Sequence, residues 1–146
     1  MNKITVKFKK LHTKTKIPTY GTEGSNGFDI YVPQTTVIPA NSFSNMVDLG
    51  IAVELEPGYA MFLLPRSSMG TKTPIRLSNG VALVDSDFRG GIKAFFDNLS
   101  DEDYVINTGE RVVQGVVVPI QKVEFVEVNE LGTTSRDING YGSTGK

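Results

Sequence analysis

Many short strands and almost no helix are what this sequence predicts: an all-β domain, a β-sandwich or barrel of jelly-roll type. Three observations lead there. The dominant hydrophobic period is two, the mark of strands with one wet face. The 146 residues include 15 Gly and 7 Pro, scattered between short apolar stretches as turn signals. No convincing window keeps a helical period for longer than two turns. Many short strands with regular turn signals suit a sandwich or barrel.

The elements follow in order. Ile4, Val6 and Phe8 alternate with Lys3, Thr5, Lys7 and Lys9, which predicts a first strand. Residues 47–55 predict another, bulged at Gly50. Glu56-Pro57-Gly58 is a turn signal, and the apolar run 59–64 follows it. A short helix is expected over Ser67–Lys72. Asn79-Gly80, four apolar residues and Asp85 read as a β-hairpin arm that ends in an acid. Strands are expected at 92–96, 104–106, 111–120 and 123–128. Turn residues separate them at Pro39-Ala40-Asn41, Ser78-Asn79-Gly80 and Asn107-Thr108-Gly109.

Composition removes several chemistries. There is no Cys, hence no disulfide framework, thiolate zinc site or Cys nucleophile. A single His, His12, argues against His-rich metal sites and a Ser-His-Asp triad. Lys and Arg total 15 against 16 Asp and Glu, a balance unlike that of a dedicated nucleic-acid binder. It suits a small anionic ligand met by a few placed cations. No apolar run approaches the ~20 residues that span a bilayer, and the N-terminus has no signal-peptide core. The expected location is cytoplasmic, with neither membrane nor nucleic acid as partner. Six of the ten Lys fall in the first 16 residues. They read better as the solvated, pairing-resistant face of an edge strand than as an anion-attracting arm.

Four segments carry candidate chemistry. Pro65-Arg66-Ser67-Ser68-Met69-Gly70 follows an apolar strand and offers a guanidinium, two hydroxyls and the N–H groups of a helix start. That donor set suits phosphate, although Ser-Ser after a strand also serves as a plain helix cap. In the segment from Asn79 to Gly91, Asp85 is placed to be a general base for water. Phe88 can stack on a ring or sugar, or belong to the core. Gln114 is an amide amid apolar strand residues, suited to a structural network or to a phosphate oxygen. The last segment, Arg136-Asp137-Ile138-Asn139-Gly140-Tyr141-Gly142-Ser143-Thr144-Gly145, alternates Gly around an aromatic residue before two hydroxyls. Such a chain can wrap polyphosphate and stack on a base, without a Walker pattern.

Together with Gly24-Ser25-Asn26-Gly27-Phe28-Asp29-Ile30, these segments resemble, in order and spacing, the five motifs of the trimeric deoxyuridine triphosphatases (dUTPases). The resemblance runs from about Gly24 to Gly145. It implies a jelly-roll-like β-barrel, dUTPase-like, in a homotrimer with sites at subunit interfaces, residues 1–131 forming the barrel domain and 132–146 a flexible arm with the last motif. It also implies the activity: hydrolysis of dUTP to dUMP and pyrophosphate by water attack on the α-phosphorus. Asp85 matches the acid that activates the water, and Asp29 the Asp that supports the site. Arg66, Ser67, Ser68, Gln114, Arg136, Gly142, Ser143 and Thr144 match phosphate-binding positions. Asn79, Leu83, Val84, Phe88, Lys93 and Tyr141 match positions around uracil and deoxyribose. Mg²⁺ is the implied cofactor, held by substrate phosphates and water with no direct protein ligand. Departures are Ala82 for a usual Gly, Phe88 for a usual Tyr, Tyr141 for a usual Phe and Asn139 for a usual Gly.

Two rival readings compete with this one. The deoxycytidine triphosphate deaminases share this fold but carry a catalytic Glu three residues before the Asn that closes the strand. Here Phe95 stands at that distance from Asn98. A catalytically idle binding module conflicts with the presence of Asp85, Arg66 and Arg136, though the sequence leaves room for an additional regulatory protein partner.

Overall fold

The structure, a computed structural model, describes residues 3–138. The strands are β1 (Lys7–Lys10), β2 (Thr19–Tyr20), β3 (Phe28–Tyr31), β4 (Thr36–Ile38), β5 (Ser42–Asp48) and β6 (Ile51–Glu54). They continue with β7 (Tyr59–Pro65), β8 (Ile75–Leu77), β9 (Ala82–Val84), β10 (Lys93–Asn98), β11 (Tyr104–Ile106) and β12 (Arg111–Pro119). A single helical turn and a half, α1 (Ser67–Lys72), follows β7. The expected all-β class and the positions of β7, α1, β10, β11 and β12 agree with the periodicity read from the sequence.

Every ladder is antiparallel. Five strands form one sheet in the order β2-β3-β12-β7-β9, and three form another, β5-β10-β8. The pairs β1-β6 and β11-β4 complete the wall. The barrel is therefore not closed: its hydrogen bonding is interrupted between these sheets, and side-chain packing joins them. Ile30, Ile38, Leu49, Met61, Leu63 and Phe96 are wholly buried in the common core. Asn98 is buried with them and fully engaged. Its Nδ2 donates to the carbonyls of Ile38 (3.0 Å) and Glu102 (2.8 Å), and its Oδ1 accepts from the Ser100 amide.

Several expectations change. The first strand begins only at Lys7; Val6 packs on the core edge and Ile4 is 40% exposed. The stretch 47–55 is two strands in different sheets, broken at Gly50. The chain turns there at φ +66°, and the Asp48 carboxylate accepts the Gly50 amide at 2.7 Å. The arm after Asn79 is not one half of a paired hairpin. Leu77 before the turn pairs with Phe96 and Ala82 after it with Leu63, so the turn passes the chain from one sheet to the other. The expected strand at 123–128 does not form: Val123, Phe125 and Val126 are 71%, 93% and 73% exposed. Its alternation is real, but no other described segment pairs with it, and an unpaired strand gains no ladder or buried face to offset the entropy of ordering.

Gly50 is the tightest of these points. A Cβ there would lie 2.6 Å from both Pro33 Cγ and Thr15 Oγ1, on top of the positive φ. Gly50→Ala is expected to destabilise the fold by about 2–4 kcal/mol, summing the left-handed penalty and overpacking. Urea denaturation of the two proteins measures this.

Candidate active site

Three neighbouring strands of the five-stranded sheet place the first group of candidates. Asp29 on β3 faces Gln114 on β12, and Leu64 on β7 faces Gln114 from the other side. Arg66 follows β7 directly, at the same end of the sheet. The Arg66 guanidinium reaches Asp29 with Nε to Oδ1 at 2.8 Å. Asp29 is buried, and its second oxygen, Oδ2, accepts from Arg111 Nη1 at 3.0 Å. One buried carboxylate thus holds two cations.

Arg111 is a residue that sequence reasoning misses. In an uninterrupted strand, residues 111 and 114 point to opposite faces. The register shifts between Arg111 and Val113, and Val112 and Val113 are both buried. This bulge brings Arg111 opposite Tyr31, onto the face that carries Asp29 and Gln114. Two adjacent apolar residues between two polar ones were the available signal.

Gln114 is half-buried, and its Nε2 donates to the Pro65 carbonyl at 3.2 Å. Its Oε1 lies against Gly27: a Cβ on Gly27 would come within 2.6 Å of it. The Gly27 backbone therefore approaches closely because nothing projects from it. The loop that delivers it is a turn in which Ser25 Oγ accepts the Thr22 amide at 3.0 Å. Arg66 is the N-cap of α1 and makes no side-chain cap bond. Ser67, exposed, and Ser68, half-buried, enter the first turn of the helix, so neither serves as the plain cap residue. Gly24, Ser25, Asn26, Gly27, Asp29, Arg66, Ser67 and Gln114 together line an open cavity of about 440 Å³. Its donors are a guanidinium, hydroxyls and an amide, a set suited to phosphate oxygens.

Asp85 lies elsewhere. It follows Val84, which pairs with Met61, so Asp85 sits toward the start of β7. Arg66 lies beyond the far end of that strand, roughly 20 Å away at strand rise. Asp85 is exposed beside a second cavity, of about 330 Å³, which it lines with Tyr59, Phe62, Leu83 and Lys122. Leu83 is 56% exposed and Val84 is buried, so Val84 can present only its backbone to a ligand. Phe88 is 46% exposed and lies over Gly90, where a Cβ would come 2.6 Å from its ring; the core reading of Phe88 is set aside. Asn79 is exposed at the turn before β9, and Gly80 there has φ +66°. The turn is braced by Asp97, whose Oδ1 accepts from Ser78 Oγ (2.6 Å) and from the Ser44 amide (2.8 Å). The Ser78 hydroxyl, then the Ser44 N–H, holds the Asp97 carboxyl below its usual range.

Lys93 is exposed on β10 opposite Asp48. Lys7 pairs with Glu54 at 2.7 Å on an outer strand, in keeping with a solvated edge. Arg136 is exposed; Tyr141, Gly142, Ser143 and Thr144, like Asn139, lie outside the described residues. Among the described residues no group of three or more His, Cys, Asp or Glu could hold a metal ion. Nor is any described helix long and apolar enough to cross a membrane.

Comparison with known proteins agrees with the fold. The dUTPase family model matches residues 13–145. A "Deoxyuridine 5'-triphosphate nucleotidohydrolase" of Helicobacter pylori strain J99 is 41% identical over 140 residues, 96% of each chain. Among solved structures, the Staphylococcus bacteriophage 80alpha dUTPase with dUPNHPP superposes with a TM-score of 0.88 at 23% identity, over 97% of this chain and 99% of that one. A mutant dUTPase from phage phi11 of S. aureus, described with a structural Mg(II) ion, gives 0.78 at 23% identity, over 87% and 98%. With a family model spanning both cavities and all the motif segments, the chain belongs to the dUTPase family.

Proposed function

We propose that this protein hydrolyses dUTP to dUMP and pyrophosphate, with Asp85 as general base and the Arg66 cavity as the phosphate site. The observation that carries the reading is the cavity in which Arg66, Ser67 and Gln114 meet above Asp29. It occurs in a chain matched over 96% of its length by a relative named for this activity. Water, deprotonated by the Asp85 carboxylate, attacks the α-phosphorus in line. The new P–O bond forms as the bond to the bridging oxygen breaks. The proton rests on Asp85, and pyrophosphate leaves against Arg66, Ser67, Ser68 and, from the C-terminal arm, Arg136, Ser143 and Thr144. Gln114 and Gly142 add donors to the phosphates. Asn79, the backbone at Leu83 and Val84, and Lys93 frame uracil, with Phe88 beneath the sugar and Tyr141 stacked on the base. Positioning and charge carry such reactions.

Mg²⁺ fits this site as a companion of the substrate. Both Asp29 oxygens face guanidinium groups, and the remaining donors of the cavity are N–H and O–H groups suited to an anion. Held by triphosphate oxygens and water, it would supply charge neutralisation for the attacking water. The cytoplasm, where nucleoside triphosphates are made and used, is the compartment this reading assigns.

We assign the protein a cyclic homotrimer. A base roughly 20 Å from the phosphate donors of its own chain cannot act on one α-phosphorus with them. Two copies that bring Asp85 of one to Arg66 of the other remove the difficulty. The exposed apolar stretch around Val123, Phe125 and Val128 is a surface such an assembly can cover. Residues 132–146 then form the arm that delivers the last motif to a neighbour.

Three outcomes test the reading. Asp85→Asn is expected to lower kcat by about 10²–10⁴ with little change in dUTP binding; steady-state pyrophosphate release together with calorimetric titration measures both. A variant with near-wild-type kcat would exclude Asp85 as the base. Phe88 keeps a flat ring without the phenol, so kcat/KM for dUTP should exceed that for UTP by roughly a hundredfold; equal values would deny it a role in sugar discrimination. Finally, Asp85→Ala and Arg136→Ala proteins, each nearly inactive, are co-refolded in equal amounts. With Asp85 and the arm on different chains of a trimer, about one quarter of wild-type activity returns. No recovery in trimers proven mixed by mass spectrometry would rule out the shared site.

A further inference from the structure

We propose that Arg111 is a positioning residue of the phosphate site, acting through Asp29 to orient Arg66 and to keep the site positive. The inference rests on the reading of the Arg66 cavity as a phosphate site.

Two observations carry it. The first is electrostatic. Asp29 is buried and lies 2.8 Å from Arg66 and 3.0 Å from Arg111. With Arg66 alone, its charge would cancel the guanidinium that faces the cavity. With Arg111 as second partner, the array keeps one net positive charge where an anion binds. Arg111 does not itself line the cavity, so its influence passes through the carboxylate. Arg66 itself lines the cavity while its Nε lies 2.8 Å from Asp29.

The second observation is the bulge in β12. It costs the β12–β3 ladder its regular register between Arg111 and Val113. Its effect is to turn Arg111 onto the Asp29 and Gln114 face. Bulges of this kind commonly re-aim a side chain beside an active site. Here the re-aimed group is the second counter-ion of the buried acid.

Inorganic pyrophosphate is the probe, because its binding requires no turnover. It is titrated calorimetrically into the full-length wild type, Arg111→Gln, Arg111→Lys and the double variant Asp29→Asn/Arg111→Gln, and kcat and KM for dUTP are measured on each. Arg111→Gln should weaken pyrophosphate binding on the order of tenfold. Lysine should restore part of this through its charge, and not all, for want of the planar fork. The double variant removes the acid with its partner and leaves Arg66 as the net charge. Its pyrophosphate affinity should rise above that of Arg111→Gln while kcat stays low, because Arg66 has lost its fixed orientation. A merely structural Arg111 would not produce this split. The double variant also carries no unpaired buried charge, so it tests the proposal even where Arg111→Gln fails to fold. Wild-type affinity in folded Arg111→Gln, or a double variant that binds no better than the single one, overturns the proposal. Absence of dUTP hydrolysis by the wild type would instead refute the proposed function and leave the pyrophosphate comparison readable.

Discussion

A buried carboxylate between two guanidinium groups is the constraint around which this molecule's site is built. Asp29 is 7% exposed, and an ionised acid at that depth demands compensation. Arg66 and Arg111 supply it from two different strands' ends, at 2.8 and 3.0 Å. Removing either one leaves the carboxylate with a single, partly exposed partner, a smaller cost than stranding a fully buried charge. The same contacts that settle Asp29 also fix where β3, β7 and β12 end relative to one another. Gln114, bonded to the Pro65 carbonyl and pressed on Gly27, closes the arrangement from the strand between them.

The second governing quantity is a length. Strand β7 separates Arg66, beyond its last residue, from Asp85, beside its first. Hydrogen bonding keeps that separation rigid, because β7 is held along its length by β12 and partly by β9. No side-chain motion brings Asp85 and Arg66 of one chain together over roughly 20 Å. The geometry of one sheet therefore bears on how many chains make a site. The exposed apolar segment after β12 suits contact between copies of the chain.

Much of this was legible in the chain. Tyr104–Ile106 and Ser67–Lys72 fall where period and turn residues place them, because turn chemistry and alternation act over a few neighbouring residues. The candidates Arg66, Ser67 and Gln114 were found by residue type and setting and Asp29 by the family resemblance, and the four meet in one cavity. Residues 123–128 show the limit of that reasoning. They alternate like a strand, yet a strand exists only with a partner, and no alternation names one.

By itself, then, the sequence determined the all-β class, the places of β7, α1, β10, β11 and β12, and the residue types at the motif positions. These follow from side-chain chemistry and from backbone preferences within short windows. Tertiary structure alone decided that the Asn79-Gly80 turn passes the chain between sheets, that Asp85 stands a strand's length from Arg66, and that Arg111 shares a face with Asp29. Each of those depends on which distant strand is a neighbour and in what register. A single extra residue at a bulge reverses the face of everything beyond it, and only the paired strand, Tyr31 to Phe28 in this case, reveals on which side Arg111 emerges.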